Sequence, residues 1–381
     1  MPRAVYILMA AIGLIGSNGL ILSPVLADVA ADLGTGIANV GWALSSFGLG
    51  TALAALWLGR SLDDFGIARA LRLALLISGI AQITASFSQT WQSLVLAEFA
   101  VGLASGVALP AIYALAAEIA PKGAEAKTLG AVIFGWSIAL IAAIPLGAAV
   151  ADLIGWRLML MVLGALSIAI FPLLRRIKGR HKVAGDAEPM GRFAPLGLPG
   201  GSRAYLICFL FMASFYGCYA YSGAYVTTGF GVSTTSAGLI ALFYGIGFGV
   251  TSLMAGVIDR IGRDRVRIIG FPLAAVTLLA LGLVPVYAGF LALMLIWGAC
   301  NNLLVNTIIS GLTGLAPKSK GATLGLYSGV TYLAASAGTF SMGWLFDHIG
   351  FVAIGSAAAA LHLGILALVW LEHRQNRRAP A

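Results

Sequence analysis

The sequence predicts an all-α integral membrane protein, with twelve transmembrane helices in two six-helix pseudo-repeats around a central cavity. Three observations carry this. Of 381 residues, 60% are apolar and only 10% are charged, whereas a soluble domain carries about a quarter charged residues. Twelve apolar runs approach the ~20 residues that cross a bilayer. Three short motifs recur at nearly one offset along the chain. With a mean hydropathy of +0.97, disorder, coiled coil and an ordinary soluble enzyme are excluded.

The runs fall at 5–27, 38–58, 71–89, 92–117, 128–150, 156–174, 204–227, 235–258, 268–287, 289–312, 323–345 and 350–371. The first follows Arg3 and has the outline of a signal peptide. Eleven more runs follow it, and Val25-Leu26-Ala27 is a weak cleavage pattern, so it is read as the first span.

An even number of spans puts both termini on one side, and the basic residues choose that side. Of the 23 Lys and Arg residues, 22 fall in one set of loops and tails. These are Arg3, Arg60, Arg69, Arg72, Lys122, Lys127, seven between Arg175 and Arg203, Arg260, Arg263, Arg265, Arg267, Lys318, Lys320, Arg374, Arg377 and Arg378. Arg157 alone lies opposite, beside Asp28, Asp32, Asp152 and Asp347. The expectation is a multi-pass protein of the inner (cytoplasmic) membrane with both termini cytoplasmic. The net charge of +9 is then a topology signal and an attraction to anionic lipid, not a nucleic-acid footprint.

The longest polar stretch, 175–203, divides an N-terminal half (1–174) from a C-terminal half with a tail (204–381) and reads as a cytoplasmic linker. The two halves share their loop motifs. Asp63, Phe65 and Gly66 align with Asp259, Ile261 and Gly262, and Ala120-Pro121-Lys122 aligns with Ala316-Pro317-Lys318, both 196 apart. Asp152-Leu153-Ile154-Gly155-Trp156 aligns with Asp347-His348-Ile349-Gly350-Phe351, 195 apart. Three matches in equivalent loops argue for duplication. Parallel repeats of this kind are a transporter architecture, with the substrate site between the halves.

The loop after the second span, Gly59-Arg60-Ser61-Leu62-Asp63-Asp64-Phe65-Gly66-Ile67-Ala68-Arg69, resembles the loop signature of the major facilitator superfamily, and the resemblance covers the whole chain. Two Arg positions of the signature hold Asp64 and Ile67 here; Arg69 and Arg72 stand nearby. The second copy, Asp259-Arg260-Ile261-Gly262-Arg263, is closer in charge. The resemblance implies a cytoplasmic gate formed by Gly59, Asp63, Gly66, Arg69, Asp259, Arg260, Gly262 and Arg263; the plainer reading is a tight charged turn. In the fifth span, Pro145-Leu146-Gly147 and Gly155-Trp156-Arg157 are similar to the drug and sugar efflux branch, whose helix-five motif implies antiport for Pro145 and Gly147. Ile144 stands where a Gly is usual. The fourth span, Glu98 to Gly106, resembles a signature that usually begins with Arg, so Glu98 reverses the charge.

Thirteen of the 14 acids lie in loops or at span ends; Glu98 lies roughly six residues inside a span, or ~9 Å deep. An unpaired charge there is costly, so such residues are functional by default. No Lys or Arg shares its depth. Glu98 is therefore expected to alternate between neutral and charged forms, as proton coupling requires. The plainer reading is a carboxyl in a wet vestibule, or one kept neutral. Met294 occupies the matching position of the second half. His362, in the last span, is the second proton-coupling candidate.

By resemblance, helices one, four, seven and ten line the cavity. Asn18, Tyr216, Tyr219, Asn301, Asn302 and Asn306 are its candidate lining; interhelical hydrogen bonding is the alternative for the Asn residues. Such a cavity has an acid and no base, which suits neutral, polyol-like or cationic solutes rather than phosphorylated ones. Cys208, Cys218 and Cys300 show no metal spacing, and no cofactor or metal is expected. No nucleophile–base pair and no phosphate-binding loop is present, which argues against an enzyme or an ATP-driven pump. The expectation is a proton-coupled antiporter exporting a small drug-like or sugar-like solute by alternating access, working as a monomer with protons and the lipid bilayer as its other partners. A nutrient importer, and a non-transporting receptor or scaffold, are the rivals.

Overall fold

A computed structural model describes the chain except residues 1–2, 59–65, 122–123, 176, 178–190, 254–259, 318 and 379–381. The described residues are helical almost throughout. In chain order the helices are α1 (Arg3–Leu20), α2 (Leu26–Asp32), α3 (Ile37–Trp57), α4 (Ile67–Ser86), α5 (Trp91–Ile119), α6 (Glu125–Ile138), α7 (Ile144–Ile154) and α8 (Trp156–Ala169). Two short helices, α9 (Phe171–Leu174) and α10 (Ala194–Gly197), flank the central connection. Then come α11 (Gly201–Phe230), α12 (Thr234–Leu253), α13 (Arg263–Leu283), α14 (Tyr287–Leu315), α15 (Lys320–His348) and α16 (Phe351–Arg378).

Eleven spans among the described residues are long and apolar enough to cross a membrane, against twelve expected. The difference is α15. It is one continuous helix of 29 residues, but Thr323, Ser328, Thr331, Ser336, Thr339 and Ser341 dilute its apolar character. Its length still suffices for a bilayer at 1.5 Å per residue.

Local chemistry sets the breaks. Thr90 accepts from the Ser93 N–H while the Ser93 hydroxyl accepts from the Thr90 N–H, a capping box that opens α5. In the fifth span, a π-helical turn at Ala139–Ala143 separates α6 from α7. Pro145 follows directly, and a proline removes one ladder donor, so the irregular turn has a covalent cause.

The duplication is visible in the backbone. Gly66 and Gly262 enter α4 and α13 with φ of 89° and 90°. Gly155 and Gly350 enter α8 and α16 with φ of 107° and 101°. These values favour glycine, and the pairs are 196 and 195 residues apart. Packing repeats as well. A methyl on Gly102 would overlap the Phe47 carbonyl oxygen across α3 and α5, and one on Gly298 would overlap the Tyr244 carbonyl oxygen across α12 and α14.

The chain divides into two compact units. One comprises Met1–Ala187 with Ala220–Leu242; the other comprises Glu188–Tyr219 with Phe243–Ala381. In the first unit, α3 and α5 meet through Gly50, Gly102 and Gly106, and Thr51 donates to the Gly102 carbonyl at 3.1 Å. The same unit takes in the start of α12. There Asp28 accepts from the Thr234 hydroxyl at 2.5 Å, and Asp152 accepts from Thr235. Asp32 pairs with Arg157, which also donates to the Ser88 carbonyl at 3.0 Å. The one basic residue on its side of the sequence census is thus held by an acid from the same side.

Candidate functional site

Glu98 is 1% exposed, on the second turn of α5. Its Oε1 accepts from Gln82 Nε2 of α4 at 3.2 Å. Its Oε2 and the Gln82 Oε1 are buried without a hydrogen-bond partner. No ion pair holds Glu98 among the described residues. A buried carboxyl held by one neutral amide can gain or lose a proton without first breaking a salt bridge.

The polar contacts extend to α1. Ser78, one turn before Gln82 on the same face of α4, accepts from Asn18 Nδ2 at 3.1 Å. Asn18 is itself 1% exposed, and its Oδ1 has no partner. The sequence had singled out Asn18 and Glu98 but not the residues between them. The available signal was Ser78-x-x-x-Gln82, the polar pair at helical spacing in the middle of α4.

The second unit carries the other candidates. Asn301 donates from Nδ2 to the Tyr244 hydroxyl at 2.9 Å. Tyr244 also lies 5.6 Å from Tyr219, 5.5 Å from Phe215 and 5.3 Å from Trp297 between ring centres. Tyr216 contacts Phe215 at 4.8 Å and Tyr332 at 6.3 Å. This is a dense aromatic cluster, and burying such rings dominates its energetics. Tyr244 and Trp297 were not foreseen. Asn302 and Asn306 are joined to each other, and Asn302 donates to Ser252 at 2.7 Å. Their observed bonds tie α14 to α12.

His362 is buried between Phe211 and Phe271. Its Nδ1 lies 3.0 Å from the Ala358 carbonyl and 3.2 Å from the Ser214 hydroxyl. A carbonyl only accepts, so Nδ1 carries a hydrogen. Nε2 has no partner.

Of the gate residues, Gly59, Asp63 and Asp259 lie outside the described residues. Gly66 and Gly262 hold the turns already noted, and Arg69 and Arg260 are exposed. Arg263 and Arg267 both pair with Glu372 of α16, at 3.6 and 3.0 Å. In the fifth span, a methyl on Gly147 would press on Ile21, and one on Gly238 of α12 would crowd Pro145 and Ala148. Pro145 and Gly147 thus lie at close helix contacts. No group of three or more metal-ligating side chains occurs among the described residues.

Comparison with known proteins places this arrangement. A family model described as Major Facilitator Superfamily matches residues 7–228 and 204–381. The chain belongs to the Major Facilitator Superfamily. It is a multi-pass secondary transporter and not an enzyme. It is 29% identical to the uncharacterized MFS-type transporter YwfA of Bacillus subtilis (strain 168), over 91% of this chain and 86% of that one. It is 25% identical to a probable sugar efflux transporter of Mannheimia succiniciproducens, over 79% of this chain and 76% of that one. Among solved structures, a bacterial homolog of the human lysosomal transporter Spinster aligns with a TM-score of 0.78 at 14% identity, covering 99% of this chain and 98% of that one. The nucleoside transporter NupG aligns with a TM-score of 0.75 at 13% identity, covering 96% and 99%. These two likenesses establish the superfamily fold over nearly the whole chain.

Proposed function

We propose that this superfamily member is a proton-coupled antiporter that exports a small drug-like or sugar-like solute by alternating access. Glu98 is the proton-carrying group, and both termini are cytoplasmic. The chain works as a monomer, with halves 1–174 and 204–381 joined by the segment 175–203. The observation that carries this is the setting of Glu98: a buried acid whose one hydrogen bond comes from a neutral amide. The second half strengthens it. At the positions matching Gln82 and Glu98 stand Leu278 and Met294, both fully buried. The fold therefore packs well there with apolar side chains, so packing alone does not require the acid.

The name of the Mannheimia relative supports export of a sugar-like solute. Asn18, Tyr216, Tyr219, Asn301, Asn302 and Asn306 are the proposed lining, and His362 is a second proton-coupling candidate. A uniporter or proton symporter importing a small nutrient is the competing reading, since a buried acid serves a proton moving with the solute as well as one moving against it.

Proteoliposomes with an imposed pH gradient test this. Radiolabelled monosaccharides and ethidium are the probes, and an internal pH dye reports proton movement. The expected result is opposed fluxes of proton and probe, lost in Glu98→Gln while probe counterflow at symmetric pH persists. His362→Gln enters the same assay. Unchanged gradient-driven flux in Glu98→Gln defeats the coupling role, and parallel fluxes select the importer.

A further inference from the structure

We propose that Gln82 is a positioning residue that reads the protonation state of Glu98 by turning its amide over. This rests on the proton-coupling reading of Glu98 and adds how the proton's presence is passed from α5 to α4.

An ionised carboxylate only accepts hydrogen bonds, whereas a carboxylic acid offers one O–H donor. An amide carries a donor end and an acceptor end on the same planar group. Gln82 meets Glu98 with its donor end, at 3.2 Å from Nε2 to Oε1. That arrangement satisfies an ionised carboxylate; a protonated Glu98 accepts it through its carbonyl oxygen, with its O–H on the partnerless Oε2 still in want of an acceptor. When Glu98 gains a proton, its new O–H needs an acceptor, and Gln82 Oε1 is the buried acceptor without a partner. Rotation about the last side-chain bond of Gln82 exchanges the two ends, and such terminal torsions are soft. A lysine or arginine here would hold the carboxylate permanently ionised, and a leucine, as at position 278, would complement neither form. The amide complements both.

Among the described residues, no other carboxylate, histidine, lysine or arginine stands near this pair on the helices packed against α5; the buried Tyr221 of α11 brings its neutral hydroxyl against Gly41 of α3. α3 (Ile37–Trp57) itself contains no titratable group. On α1, Arg3 and Tyr6 lie twelve or more residues from Asn18. On α4, Arg69 and Arg72 lie ten or more residues from Gln82. Lys127 stands at the opposite end of α6, near Glu125 in sequence. Asp32 is exposed and Arg157 half-buried, and the two satisfy each other. Tyr113 and Glu118, on α5 itself, are four or more turns from Glu98. Ser78 shares the Gln82 face of α4 and holds Asn18 of α1, so the amide lies one turn from the tie between two helices.

The test is infrared difference spectroscopy on a pH jump in proteoliposomes, with glutamine side chains carrying a carbon-13 carbonyl. The expected result is a pH-dependent shift of one glutamine amide band, coincident with appearance of a carboxylic C=O band. Both vanish in Glu98→Gln. In Gln82→Leu the carboxylic band persists at a displaced frequency. The pH profile of gradient-driven flux then moves towards higher pH by roughly one unit, because a hydrogen bond to the charged carboxylate (about 1.5–3 kcal/mol) exceeds one to the neutral acid (about 0.5–1.5 kcal/mol). An amide band in the unsubstituted protein that does not respond to pH overturns the inference, whatever the fate of the variants. So does an unmoved pH profile in a folded Gln82→Leu protein. If Glu98→Gln abolishes coupling in either case, the coupling role stands and only the amide switch fails.

Discussion

Asp152 of α7 holds the first turn of α12 by two bonds to one residue: its Oδ2 accepts from the Thr235 N–H at 3.3 Å and from the Thr235 hydroxyl at 2.5 Å. The first N–H groups of a helix lack intrahelical partners and form its positive end, so a carboxylate there is favourable twice over. Asp28 does the same service for Thr234 through its hydroxyl. Two acids from different helices thus anchor one helix start. Each bond contributes about 1 kcal/mol, or roughly fivefold in an equilibrium. Replacing both with Ala, which accepts no side-chain hydrogen bond, should let this end separate more often. With Cys208, Cys218 and Cys300 changed to Ala, a cysteine placed at the buried Ser222 should react with a maleimide at least about fivefold faster in the double variant. An unchanged rate would show that the carboxylates do not hold this end.

The contact of α3 with α5 gives a stability prediction. Gly102→Ala forces a methyl against the Phe47 carbonyl, which is backbone and cannot swing aside. Overpacking of this kind costs about 1–3 kcal/mol, and the melting midpoint in detergent should fall. Gly249→Ala, in the helical α12 with open space around it, should be neutral or slightly stabilising. Equal behaviour of the two variants would contradict the packing argument.

The charged cluster near α16 gives another. Arg267 is 4% exposed and depends on Glu372 at 3.0 Å. Glu372→Ala leaves that guanidinium buried and unpaired. Because Glu372 keeps 30% of its side chain exposed, the loss should be about 2 kcal/mol, below that of a fully buried pair. Glu372→Gln should recover part of it through its amide oxygen. A thermal melt of the three proteins measures the order, and equal midpoints would show that Arg267 needs no partner.

Much of the fold was legible in the sequence, because a bilayer demands long apolar helices whatever their packing. The repeat was legible too: Gly66 and Gly262 stand in matched motifs, and their φ values of 89° and 90° nearly coincide. The candidate site was legible in part. Glu98 stood out because a charge in an apolar run is expensive. Gln82 did not, because a neutral amide leaves little trace in a hydropathy pattern. Which amide faces which acid depends on how α4 is rotated against α5, and that is a tertiary property. Asp28 and Asp152 read as loop charges for the same reason; their partners lie 206 and 83 residues away. The polar character of α15 also escaped a reading based on length and average apolarity.

If Glu98 carries the proton as proposed, the apolar pair Leu278 and Met294 sets a limit on work. Under the proposed coupling, with Glu98 as the one proton carrier and His362 taking none, one cycle would carry one proton. A difference of one pH unit is worth about 1.36 kcal/mol per proton, which supports at most about a tenfold concentration ratio of a neutral solute. Each 100 mV of membrane potential adds about 2.3 kcal/mol when that one charge crosses. A second acid in the second half would raise the attainable gradient, but every cycle would then consume two protons. On that proposal, the asymmetry between otherwise matching halves would set a gear ratio, trading steepness of accumulation for economy of protons.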